Sequence, residues 1–261
     1  MVAKRLWAIL LSTALVAAML GGCTDDAEPE SGGTTGDTSA ESVEPAGEWA
    51  KTLPMEPGYA WDIAMYPGGD TLPVSLPVAG PWAFETGADW PVSTTEIVDP
   101  AEVDGIESFS DYDYVVKASD ATATYFYPRR VTEEWMLQLG KITLTGDQAT
   151  VEPYENPLKF WPVDFEVGET FVVSDTGSFG INATVLAQNA VTTPAGTIDE
   201  AYLVRFDYTP LAEGALEGTQ YYILSPEVGF VALFSVAAGD ESSGFTALDS
   251  LQVLVTMPEK R

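Results

Sequence analysis

Apolar and polar side chains alternate residue by residue through the C-terminal half of this 261-residue chain, and that period of two restricts the fold more than any other feature. In residues 201–208, Tyr202, Val204, Phe206 and Tyr208 fall on one face while Leu203, Arg205 and Asp207 fall on the other. This is the spacing of a pleated strand, whose successive Cβ atoms point to opposite sides. Residues 245–255 read the same way, with Phe245, Ala247, Leu251, Val253 and Val255 together and Asp249 as the exception. Further strands are predicted over 112–118, 121–127, 170–174, 181–189, 219–224 and 228–236. Turn chemistry separates them at Thr145-Gly146-Asp147, Pro194-Ala195-Gly196, Glu213-Gly214, Ser225-Pro226 and Ala238-Gly239-Asp240, and short connections between consecutive strands favour antiparallel pairing. Residues 133–139 read two ways: Trp135, Leu137 and Leu139 alternate as a strand, whereas Trp135, Met136 and Leu139 stripe one helical turn. Residues 73–100 are dense in proline, tryptophan and glycine, which predicts irregular edge structure or a loop packed by its own aromatics. The expectation is an all-β, mainly antiparallel domain over residues 49–261, built as a single curled sheet or half-barrel meander. Were it split into two lobes, the boundary would fall near 154–162.

The first two dozen residues have a different logic. Lys4 and Arg5 precede a stretch of apolar or small residues from position 6 to 20, shorter than the roughly 20 residues a membrane-crossing helix needs. It ends in Leu20-Gly21-Gly22-Cys23, with Thr24, Asp25 and Asp26 following. This string resembles the bacterial lipobox, in which the signal is cut before the cysteine and a diacylglycerol thioether forms on it. The resemblance implies that residues 1–22 are a lipoprotein signal peptide and that Cys23 is the lipidation site. Two or three acyl chains, at about 0.8 kcal/mol per buried CH₂, hold a protein durably on a bilayer. Residues 24–48 consist of Asp, Glu, Gly, Ser, Thr, Pro and Ala apart from Val43. Such a segment buries too little surface to offset ordering entropy, so a disordered acidic linker spanning roughly 25–30 Å is expected. The predicted location is extracytoplasmic and lipid-anchored, with the outer membrane as the surface in a diderm cell.

Composition excludes much of the usual chemistry. With no histidine and one cysteine, the chain can form neither a Ser-His-Asp triad nor an imidazole-ligated metal site nor an internal disulfide. A formal charge of −29 from 40 acidic and 11 basic residues opposes nucleic-acid binding, which depends on basic groups displacing counterions from phosphates. Asp175-Thr176-Gly177-Ser178 resembles an aspartic-protease loop, but the second Asp-Thr-Gly or Asp-Ser-Gly that would share the proton is absent. Asp111 and Asp113, read as i and i+2 on one strand face, would lie some 7 Å apart, within the range of an inverting glycosidase pair. Clustered acids within 104–113 and at Asp240-Glu241 are the candidates for calcium, although no 12-residue loop pattern occurs. Solvated surface charge explains these acids as well. No catalytic residue, metal site or cofactor is assigned, and a non-enzymatic protein is expected, with carboxylate-based glycoside hydrolysis as the remaining enzymatic reading.

One further resemblance lies in the C-terminal half. Phe165-Glu166-Val167-Gly168-Glu169-Thr170-Phe171, Val191-Thr192-Thr193-Pro194-Ala195-Gly196-Thr197-Ile198, Tyr221-Tyr222 and Glu227-Val228-Gly229-Phe230-Val231 follow one another. This series is similar to a group of uncharacterised bacterial envelope lipoproteins. Ile198 and Phe171 stand where that group more often has an aromatic residue and a tryptophan. The resemblance implies a strongly curved antiparallel sheet, like the half-barrels of lipoprotein carriers, and no catalytic residues. The six tryptophans beyond the signal, Trp49, Trp61, Trp82, Trp90, Trp135 and Trp161, all lie in the first two-thirds of the chain. They are candidates either for the core or for a platform facing a sugar or apolar ligand. Trp61, Trp82 and Trp135 are the candidate ligand-binding aromatics. The basic pair Arg129-Arg130 is the candidate anion-holding group, with ion pairing to Glu133 as its alternative use. The expected partners are the bilayer through acylated Cys23, and an apolar or glycan ligand or an envelope protein; an envelope module without a small-molecule ligand is the other non-enzymatic reading.

Overall fold

The structure, a computed structural model, describes residues 55–120, 122–176, 179–210 and 218–261. Among the described residues, eight strands occupy the N-terminal portion: β1 (Tyr59–Met65), β2 (Leu72–Leu76), β3 (Trp82–Ala83), β4 (Val92–Val98), β5 (Tyr114–Ser119), β6 (Thr124–Val131), β7 (Trp135–Thr145) and β8 (Gln148–Pro162). Seven follow: β9 (Thr170–Thr176), β10 (Phe179–Thr193), β11 (Gly196–Pro210), β12 (Gly218–Ser225), β13 (Gly229–Asp240), β14 (Gly244–Leu254) and β15 (Glu259–Lys260). All belong to one sheet with the hydrogen-bonded order β3-β10-β11-β12-β13-β14-β1-β4-β5-β6-β7-β8, while β9 adds to β10, β2 to β14 and β15 to β1. Every pairing is antiparallel except that of β3 with β10, where Trp82 lies opposite Val191. β1 sits between β14 and β4, so it sews two meanders, β4–β8 and β9–β14, into one surface. The sheet curls without closing into a barrel, which bears out the expected all-β, antiparallel, curled architecture.

Curling brings side chains from distant strands together. On the inner face, Tyr114, Met136 and Trp161 from one meander share a cluster with Phe171, Val185, Val204 and Phe206 from the other. The alternation read in β11 is what feeds it: Tyr202, Val204, Phe206 and Tyr208 point inward, and Leu203 enters the cluster on the reverse side. That reverse side of β10–β14 is covered by residues 66–90, which lay Leu76, Trp82 and Phe84 against Ile223, Phe234 and Leu251. A third, smaller layer forms behind β5–β8. There Val103 and Phe109, flanking the 3₁₀ turns Pro100–Glu102 and Ile106–Ser108, pack on Val115, Leu139 and Ile142.

Several expectations need correction. Residues 73–100 are not wholly irregular, because β4 is a regular seven-residue strand between β1 and β5. Residues 133–139 resolve as strand from Trp135 onward. Ala238-Gly239-Asp240 lies inside β13 instead of forming a turn, and the chain reverses over 241–243. Register shifts between β13 and β14 at Ser235/Val236, Val236/Ala238 and Ala238/Gly239 insert unpaired residues, and each extra residue reverses the side-chain phase. For that reason Phe245 and Leu248, three apart, enter one cluster, where strict alternation put Ala247. Glu213-Gly214, Ala121, Trp49 and Cys23 lie outside the described residues.

Candidate functional site

The inner face gathers one group of polar and aromatic side chains whose packing leaves space. Arg129 on β6 stands opposite Tyr114 of β5 and Gln138 of β7. Further along, Met136 pairs with Trp161 and Leu137 with Lys159, so Phe160 is an extra residue on β8. This bulge turns adjacent aromatics toward the same side: the rings of Phe160 and Trp161 lie 4.3 Å apart. The Arg129 guanidinium rests 4.4 Å over the Phe160 ring and 5.8 Å from that of Trp161. Beside it a cleft of about 50 Å³ is lined by Trp61, Tyr114, Arg129, Met136, Trp161 and Phe230, among others. On the other flank of Trp161 a cleft of about 30 Å³ is bordered by Leu158, Phe160, Phe206 and Tyr222.

The electrostatics of this corner differ from the rest of the surface. Lys117, Lys141, Arg205, Lys260 and Arg261 each hold a carboxylate in an ion pair. Among the described residues no carboxylate comes within 4.0 Å of the charged atoms of Arg129, Arg130 or Lys159. Lys159 instead lies 4.7 Å over the Trp135 ring. The Nε atoms of Arg129 and Arg130 are buried without a hydrogen-bond partner. Burial pushes the Tyr114 hydroxyl upward in pKa, with Arg129 opposing the shift. Burial likewise raises Tyr127, and it lifts Tyr154 to about 12 against the pull of Gln138 and Arg129. The phenols facing Arg129 are therefore protonated at neutral pH, and Tyr114 shares a hydrogen bond with its guanidinium.

The structure brings together two of the residues selected from sequence, Trp61 and Arg129, and separates the others. Trp82 is a core residue on the reverse face, and its Nε1 donates to the Pro77 carbonyl at 2.9 Å. Trp135 meets Phe171 edge-on with ring centroids 5.4 Å apart. Arg130 neighbours Leu137 and, one strand further, Lys159, a row on the outer face. Ion pairing of the arginines with Glu133 does not occur. Trp161 and Tyr114 line the same cleft and Phe160 lies under the Arg129 guanidinium; none of the three was selected from sequence, and the adjacent aromatics at 160–161 were the available signal.

Among the carboxylates, Asp111 adopts a left-handed φ of +58° and β5 begins only at Tyr114, so Asp111 and Asp113 are not a pair on one strand face. Asp113 instead accepts the Val131 N–H at 2.6 Å. Asp240 caps its turn by accepting from the backbone and hydroxyl groups of Ser242 and Ser243. The Asp175 side chain, Gly177 and Ser178 lie outside the described residues. Among the described residues no group of three acidic, cysteine or histidine side chains is placed to hold a metal ion. Comparison with protein-family models, curated proteins and solved structures returns no match.

Proposed function

We propose that this chain is a lipid-anchored, extracytoplasmic binding module without enzymatic activity. In this reading Cys23 carries the acyl chains, residues 24–48 form the tether, and the curled sheet offers the cleft beside Trp161 to a ligand or envelope partner. The similarity of residues 165–231 to envelope lipoproteins is in keeping with it. The observation that carries the binding reading is Arg129: a guanidinium laid on aromatic rings, with no carboxylate beside it, in a chain with 40 acidic residues. Acids are abundant enough to neutralise every cation, and an arginine left unpaired at a cleft is a group kept available for something else.

Size decides between enclosing a ligand and gripping part of one. Pockets that engulf drug-sized molecules measure about 300–1,000 Å³, whereas the inner clefts here measure about 50 and 30 Å³. On the inner face, where a carrier would hold its lipid, that favours holding a projecting group over carrying a whole lipid, and it moves the reading from a lipoprotein-carrier type of half-barrel toward an interaction module. The anchor is tested by expressing the full chain in a bacterium fed labelled palmitate. Label is expected on the wild-type protein, and Cys23→Ser is expected to lose it and move to the soluble fraction. Unlabelled wild-type protein, or a Cys23→Ser variant that stays on the membrane, would overturn the proposal.

A further inference from the structure

We propose that the cleft beside Trp161 recognises a carboxylate borne on a flat or apolar body, with Arg129 as the group that binds it. The inference rests on the binding-module reading and names the class of ligand for it. A guanidinium lying over a ring uses its face in the cation–π contact, and its in-plane N–H groups remain free to point elsewhere. Those groups form a fork that matches a planar carboxylate with two parallel hydrogen bonds. Arg129 lies 4.4 Å over the Phe160 ring, its Nε is buried without a hydrogen-bond partner, and it lacks the carboxylate that five other cations of this domain have.

The walls determine which anion fits. Ile97, Val116, Met136 and Trp161 line the cleft with apolar surface, and Arg129 is the one cation beside it among the described residues. A tetrahedral dianion presents more acceptors than one fork can satisfy, and its remaining oxygens would be desolvated without partners. A carboxylate needs only the fork. A water molecule requires about 10–15 Å³ of this kind of space, so the cleft of about 50 Å³ takes a head group of a few atoms. The body of the ligand then lies along the half-buried rings of Trp61 and Phe230 at the mouth. Repulsion from the formal charge of −29 points the same way: it is screened beyond about 8 Å at physiological ionic strength, and a monoanion feels half as much of it as a dianion. Arg130 and Lys159, on the outer face of the same corner, offset it locally.

Two sources share this chemistry, a free apolar acid and a uronic-acid residue of an acidic glycan. They are separated by titrating the mature, lipidated chain in detergent with phenylacetate, with glucuronate and with inorganic phosphate, and following tryptophan emission. A saturable change with a midpoint in the millimolar range is expected for at least one carboxylate, with phosphate weaker than it. Phenylacetate ahead of glucuronate assigns an apolar acid, and the reverse order assigns a sugar acid; both support the site. Arg129→Met is expected to weaken the response at least about tenfold, since a charge-assisted fork is lost. Arg129→Lys, which keeps the charge and loses the fork, is also expected to weaken it, and Arg130→Met to leave it within about twofold. Arg129→Met is expected to keep the wild-type circular-dichroism spectrum and a cooperative thermal transition, which separates loss of binding from loss of fold. No saturable response to either carboxylate, an undiminished response in Arg129→Met, or phosphate binding as tightly as the better carboxylate would overturn the proposal. Palmitate on Cys23 is read in the same preparation: labelled protein that ignores carboxylates sinks the site and leaves the anchor, while unlabelled protein that responds does the reverse.

Discussion

Asp240 and Tyr154 show how single groups tie stability to pH at opposite ends of the scale. Four hydrogen bonds from Ser242 and Ser243 hold the Asp240 carboxyl down at about 2, from an ordinary value of 3.8. A depressed acid favours the folded state above its unfolded value and loses that contribution as pH falls through the folded one. The melting temperature of wild type should therefore drop between pH 4 and 2 more steeply than that of Asp240→Asn, measured by circular dichroism. Tyr154 works in the opposite sense, being raised to about 12 by burial first, against the Gln138 hydrogen bond and the Arg129 charge. Its contribution is intact below the unfolded value of 10 and fades as pH rises toward 12. Tyr154→Phe should flatten that alkaline decline. It should also cost about 1–3 kcal/mol at neutral pH, because the buried Gln138 amide, 3.2 Å from the phenol oxygen, loses its acceptor. At this scale the sequence marked Trp61 and Arg129, which do meet, but it gave no reason to join them to Trp161. Their proximity depends on strands far apart in the chain, and the turn of Phe160 toward Arg129 depends on a bulge whose only local mark is the adjacent aromatic pair at 160–161.

Strand alternation was legible wherever the ladder is regular, as in β11. Leu203 and Val204 are both fully buried, one in each layer, so the strand is a wall shared by two cores. Leu203→Ala should destabilise the domain by about 2–5 kcal/mol in urea unfolding, with a matching cost for Val204→Ala because neither layer is dispensable. Where the ladder slips, sequence reading failed: Gly239 has the composition of a turn residue and sits within β13. Its φ is +95°, and an added Cβ would run into the Gly244 carbonyl and the Phe245 backbone. The glycine is required by the close approach of two strands at a bulge. Gly146 has a φ of +59° with open space around it, the ordinary requirement of a tight turn. Gly239→Ala should consequently be far more damaging than Gly146→Ala, for which about 1 kcal/mol is expected. Equal losses in the two variants would show that the β13–β14 backbone shifts freely, contrary to a fixed bulge. β1 and β4 escaped notice for another reason. β1 lies in the middle of the sheet between β14, from the far end of the chain, and β4, and β4 meets β1 and β5 across long connections, so no hairpin turn marks either strand.

Charge acts on the molecule as a whole. Forty acidic side chains against eleven basic ones repel one another more when folding compresses them than in the expanded chain, which lowers stability at low ionic strength. Apart from buried Lys141 with Glu152, the ion pairs that oppose this are partly or largely solvated; Lys260 and Glu56 are 62% and 76% exposed, and pairs of that kind contribute about 0–1 kcal/mol each. Added salt weakens both effects, but the repulsion is spread over the entire surface and the pairs are few. Screening should therefore stabilise the fold. Raising sodium chloride from about 10 mM to about 150 mM shortens the screening length from about 30 Å to about 8 Å, from most of the width of such a domain to the spacing of near neighbours. The melting temperature should rise over that interval, by about 2–4 °C for each kcal/mol of repulsion removed in a domain of this size. A flat or falling curve would mean that the ion pairs outweigh the net charge. In that event the acidic surface would be stabilised by its specific pairings, and Arg129, Arg130 and Lys159 would stand out still more as the cations left aside.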